Sequence, residues 1–150
     1  MLAAVRPDAW NFPLLLHVLG AMLLVGSLIL AASAMFLAWR GGEAALVRTG
    51  YRTLLLGVVP SWILMRVGAE WIASKEHVEN SDVSWVGIGF TTADGGAALI
   101  VIATVLAGFG MRRAARTARS TGLSRASAIL VAVLIAAYVV ALWAMTTKPS

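Results

Sequence analysis

Four ionisable side chains, His17, Arg66, Glu70 and Asp94, lie within or beside long apolar runs. A charge inside a membrane segment is costly, so such residues face the protein interior or water and find partners. Arg66 and Glu70 are four apart, which places them on one face of a helix. Two kinds of chemistry suit the set. One is an ion-pair network that fixes helix register. The other is a polar pocket in which Arg66 attracts an anionic group while Glu70, Asp94 and His17 bind or relay protons. His17 has two further options. As a ligand of haem b or copper it needs a second donor, and the candidates are His77 or a methionine such as Met22 or Met65. As a plain interhelical hydrogen-bonder it needs only a carbonyl. The chain contains no cysteine, so the expectation for metals and cofactors is none. No phosphate-binding glycine loop, H-E-x-x-H or G-x-S-x-G occurs, and the expectation is a protein that is not an enzyme.

The elements that must position these residues are written in the composition. Of 150 residues, 60% are hydrophobic and 13% charged, against about 45–50% and about 25% in soluble domains. A soluble globule of this size cannot hide so much apolar surface. A membrane helix needs about 20 apolar residues, and four stretches qualify: about 13–39, 51–73, 92–111 and 124–145. The runs are continuous and rich in Leu and Ala, without the alternation of a membrane β-barrel. The expected fold is an all-α, single-domain bundle of four antiparallel transmembrane helices over residues 1–150. The connecting segments 40–50, 74–91 and 112–123 are read as linkers, Asp94 as opening the third helix, and Pro60 as kinking the second. Ala32-Ser33-Ala34 resembles a signal-peptidase site, but the apolar run is longer than a signal core and no basic cluster precedes it, so cleavage is not expected.

Net charge is +5, and its distribution gives a direction. The first and third linkers with their flanks hold Arg40, Arg48, Arg52, Arg112, Arg113, Arg116, Arg119 and Arg125, against Arg6, Lys75 and Lys148 on the other side. The positive-inside rule puts the arginine-rich linkers in the cytoplasm and both termini outside. Six of the seven acidic residues, and Trp10, Trp71, Trp85 and Trp143, then fall toward the outer side. His17, Arg66, Glu70 and Asp94 converge in the outer leaflet, and His77 returns to the Arg66 face if helix two continues a further turn. Arg112, Arg113, Arg116 and Arg119 recur at helical spacing and suit anionic lipid head groups. No aromatic residue accompanies them for base stacking, so nucleic acid is not an expected partner.

Small residues supply candidate packing stripes: Gly20, Ser27, Ala31 and Ala34; Gly57 and Ser61; Ala103 with Ala107 and Thr104 with Gly108; Ala128, Ala132 and Ala136. The segment Leu16-His17-Val18-Leu19-Gly20-Ala21, with Gly26 beyond it, resembles the first helix of copper-resistance D-type membrane proteins. Met65-Arg66-Val67-Gly68-Ala69-Glu70-Trp71 and Thr92-Ala93-Asp94-Gly95 are similar to actinobacterial members of a group of small integral membrane proteins of unknown function. The element shared with the copper proteins is His-x-x-Gly, and the chain has no Met-x-x-Met. The resemblance implies a small four-span protein of the bacterial plasma membrane and leaves its activity open. The expected role is structural or accessory, with the bilayer, a second copy or another membrane protein as partner. The alternatives are a small transporter or ligand binder using the polar set, and a haem b or copper protein using His17.

Overall fold

In hydrocarbon every backbone N–H and C=O must be satisfied within the segment, so continuous apolar runs become helices. The computed structural model describes residues 11–76 and 84–147, and there the chain is helical almost throughout. The first helix, α1, is Asn11–Gly41. Gly42, at φ 77°, makes the turn; its N–H donates to the Ala38 carbonyl at 2.8 Å and closes the helix in the left-handed conformation glycine favours. The second rod runs through α2 (Ala44–Thr53), a π turn (Leu54–Val58) and α3 (Val59–Glu76). The third is α4 (Ser84–Thr117) and the fourth α5 (Gly122–Thr147). Each of the four rods contains a stretch long and apolar enough to cross a membrane. The chain is a multi-pass membrane protein built as a four-helix arrangement.

Pro60 disturbs the second rod through its neighbours. Its ring crowds the carbonyl four residues back and it lacks an N–H. The turn just before it is wound as π helix, with the Val59 N–H donating to the Leu54 carbonyl five residues earlier.

The linkers are shorter than expected. Arg48 and Arg52 belong to α2, and Arg112, Arg113 and Arg116 to the last turns of α4. Arg, Ala and Lys are good helix formers, so the helices continue past the apolar stretches. Asp94 does not open the third helix; it lies ten residues inside α4, about 15 Å from its start. The α4–α5 turn ends in a reciprocal cap. The Thr121 N–H donates to Ser124 Oγ at 2.9 Å, and that hydroxyl donates to the Thr121 carbonyl at 2.7 Å. The Ser120 N–H donates to the Gly42 carbonyl at 3.2 Å, which ties the two arginine-rich turns together.

Neighbouring rods pack around a square in chain order, and the fourth returns to the first. The core is Leu24, Leu28, Met35, Leu54, Val58, Ile100, Val131 and Leu134 with interleaved alanines. Large apolar side chains such as Met22, Phe36, Leu56, Val101 and Leu142 face outward, the pattern of a helix bathed in lipid. Small residues take the inward face. Gly20 abuts the Met65 backbone, and Gly68 abuts the His17 backbone, so α1 and α3 cross with main chains in contact. The register continues in opposite directions, with Gly57 against Ser27 and Gly50 against Met35. The alanine stripe expected on the fourth helix is only partly inward: Ala128 is buried, but Ala132 and Ala136 are exposed. The buried face there is Ser124, Ser127, Val131, Leu134, Tyr138, Ala141 and Ala144.

Candidate functional site

The second rod lies close to α4 along α2, but α3 and α4 scarcely approach each other. Long side chains bridge the gap. Trp62, Arg66 and Glu70 recur every four residues on α3 and form one stripe. Phe90, Ala93 and Asp94 lie one turn apart on α4 and face it. One guanidinium nitrogen, Arg66 Nη2, stands 2.7 Å from Glu70 Oε1 and 3.1 Å from Asp94 Oδ1. The guanidinium carbon lies 5.0 Å from the centre of the Phe90 ring. A turn deeper, Trp62 Nε1–H donates to the Ala93 carbonyl at 3.1 Å. Beyond it, the Tyr138 hydroxyl of α5 packs where a Cβ on Gly96 would fall. That hydroxyl is buried beside the Trp62 side chain and makes no hydrogen bond of full geometry among the described residues.

The arginine side chain is 21% exposed, while Glu70 and Asp94 are 48% and 64% exposed. The cation is therefore largely enclosed by its partners, and the carboxylates open outward. Two carboxylates against one guanidinium leave an excess of one negative charge. The arrangement suits a cation, a proton or a hydrogen-bond donor better than it suits an anion, because two carboxylates outweigh the one guanidinium and both sit on its Nη2.

His17 does not join this triad. Its Nδ1 lies 3.1 Å from the Met65 carbonyl oxygen; since a carbonyl can only accept, Nδ1 carries the proton. The contact belongs to the α1–α3 crossing, one turn from Gly20 on its own helix. His-x-x-Gly thus meets Met65-x-x-Gly68, each glycine against the other segment's backbone. Farther along the same seam, the rings of Phe12 and Trp71 meet edge to face at 5.9 Å. His77 lies outside the described residues, as do Asp8, Trp10, Glu79 and Asp82. Among the described residues no three His, Cys, Asp or Glu side chains group so as to hold a metal ion.

Arg112, Arg113, Arg116 and Arg119 are all exposed. Arg112 rests over its helical neighbour Phe109 at 6.0 Å.

Sequence reasoning missed Phe90, Trp62 and Tyr138. The first two carried a usable signal, because Phe90 precedes Asp94, and Trp62 precedes Arg66, by the four residues that make one face. Tyr138 had none, since nothing in the apolar run around it says which neighbour it meets. No family model, curated protein or solved structure matches the chain. The resemblance through His17 and Gly20 therefore stands on those residues alone, and the structure gives them a packing role.

Proposed function

We propose that this chain is a structural or accessory integral membrane protein of the bacterial plasma membrane, without catalytic activity of its own. The observation that carries the reading is the clasp formed by Arg66. One guanidinium joins a carboxylate of its own helix, a carboxylate of the neighbouring helix and an aromatic ring. Such a group holds two rods at a set spacing where their backbones do not touch. A charge at the centre of a membrane helix costs about 2.5–3.5 kcal/mol on insertion scales, and the paired carboxylates offset that cost. The outward exposure of Glu70 and Asp94 supports a surface that meets water, head groups or a donor-bearing partner protein. In the expected orientation this end faces outward and the arginine-rich turns face the cytoplasm.

A second reading, a small transporter or ligand binder, is favoured by the same exposure and by the negative excess, which suit protons or small cations. Purified protein in proteoliposomes loaded with a pH-sensitive dye separates the two. The accessory reading expects proton and potassium leak equal to that of protein-free vesicles. A flux that disappears in E70Q or D94N would overturn it in favour of transport.

A further inference from the structure

We propose that the arginine-rich end of α1 and α5 binds an acidic phospholipid, with its phosphate on Arg40 and Arg125 and one acyl chain in the furrow between the two helices. The inference rests on the reading of the chain as membrane-spanning. Ala32, Ser33, Phe36 and Trp39 of α1 and Ala128, Ile129 and Ala132 of α5 line this furrow. It runs from Ala32 to Trp39, about 10 Å along the helix. Large side chains such as Leu30, Leu37 and Val133 project from other parts of the lipid-facing surface. Here Ala32, Ser33, Ala128 and Ala132 are small residues among the larger Phe36, Trp39 and Ile129, and leave a channel that an acyl chain fills and water does not.

Two cations sit on the two aromatic rings of that channel. The Arg40 guanidinium lies 5.9 Å from the centre of the Phe36 ring, and that of Arg125 lies 5.5 Å from the centre of the Trp39 ring. Neither has a carboxylate within ion-pair distance among the described residues. A guanidinium over a ring face keeps its N–H donors available at the edge, in the fork that fits phosphate oxygens. The furrow also offers an apolar seat to a helix of a second copy. A symmetric pairing of copies through it would bring Arg40 and Arg125 against their equivalents with no anion between them. A free phosphate would use the arginines and leave the furrow unfilled. A phospholipid satisfies both parts.

The test is native mass spectrometry of the full chain released from micelles holding equal phosphatidylglycerol and phosphatidylcholine. The wild-type protein should retain phosphatidylglycerol preferentially. At about 1 kcal/mol per arginine near a lipid surface, the preference should fall about 5-fold in R40Q and about 30-fold in R40Q/R125Q. A132W, which plugs the furrow at an exposed position, should lower retention of both lipids, and R48Q/R52Q, at exposed positions of the same basic end that do not line the furrow, should leave the preference intact. An unchanged preference in R40Q/R125Q would overturn the proposal. So would an equal loss in R48Q/R52Q, which would mean diffuse attraction to the basic end. A lipid-free dimer that A132W dissociates would assign the furrow to a second copy. Circular dichroism confirms that each variant folds. Alkaline carbonate extraction separates the two levels of failure: release from the membrane sinks the spanning assignment itself, whereas retention with no lipid preference sinks this site alone.

Discussion

Arg66 serves two carboxylates with one nitrogen, so its removal leaves Glu70 and Asp94 facing each other without a counter-charge. The site is partly open, which screens that repulsion, and the loss should be about 1–2 kcal/mol. Arg66→Met should therefore lower the melting temperature in detergent clearly more than Glu43→Gln at an exposed turn position. Glu70→Gln should fall between them, since Asp94 still holds the cation; equal melting temperatures for all three would refute the clasp. The Tyr138 hydroxyl calls for the opposite experiment. It is desolvated in a residue only 7% exposed, with only the Trp62 side chain beside it and no hydrogen bond of full geometry among the described residues. Tyr138→Phe should be neutral or stabilising by up to about 1 kcal/mol, because the ring packing stays and the stranded polar atom goes. A loss of stability in thermal unfolding would mean that the hydroxyl's contact with the Trp62 side chain outweighs its desolvation. The Arg66–Glu70 pair was legible in the sequence, as four-residue spacing implies a shared face wherever the helix lies. The hydroxyl was not, because its isolation depends on Gly96 and Trp62 arriving from two other helices.

At the scale of elements, the α1–α3 crossing is the contact most sensitive to one added carbon. A Cβ on Gly20 would fall 2.4 Å from the Met65 nitrogen and 2.7 Å from its Cα, both main-chain atoms that cannot rotate away. Gly26, six residues on, has nothing within 4 Å. Gly20→Ala should destabilise by about 1–3 kcal/mol through forced separation of the helices. Gly26→Ala should stabilise by up to about 1 kcal/mol through helix propensity alone. Unfolding by SDS titration measures both, and similar effects at the two positions would show that the backbones do not touch. The sequence put Gly20 on a candidate packing stripe and left Gly26 off it, but not how closely the backbones approach, since a small residue permits close packing and does not call for it. Ala132 and Ala136 make the same point on α5, where the stripe they form with Ala128 turns largely outward. Helix ends were misjudged for a related reason. Polarity was taken as the end of the helix, but it marks only the end of the apolar stretch, and α4 carries three arginines past that limit.

For the whole molecule, the antiparallel bundle puts the Gly42 and Ser120 turns together at one end, joined by a main-chain hydrogen bond. Eight arginines lie at or near that end, on the two turns and the helix termini that flank them. The positive-inside rule turns this charge asymmetry into an expected direction, with the arginine-rich turns in the cytoplasm. The fold itself was readable from composition and run length, but direction is a property of the chain in its membrane and calls for a labelling experiment. The absence of cysteine makes it a clean one, as any introduced thiol is the only target. Ser74 and Thr117 are both exposed and belong to opposite ends of the bundle. In intact cells a membrane-impermeant maleimide should label Ser74→Cys and leave Thr117→Cys untouched, and lysis should expose both. Replacing Arg112, Arg113, Arg116 and Arg119 together with glutamine removes half of the arginines at that end, leaves four basic residues against three, and should yield a mixed population with both positions partly labelled. Labelling of Thr117→Cys from outside in the unaltered charge background would invert the bundle and move the Arg66 clasp to the cytoplasmic half.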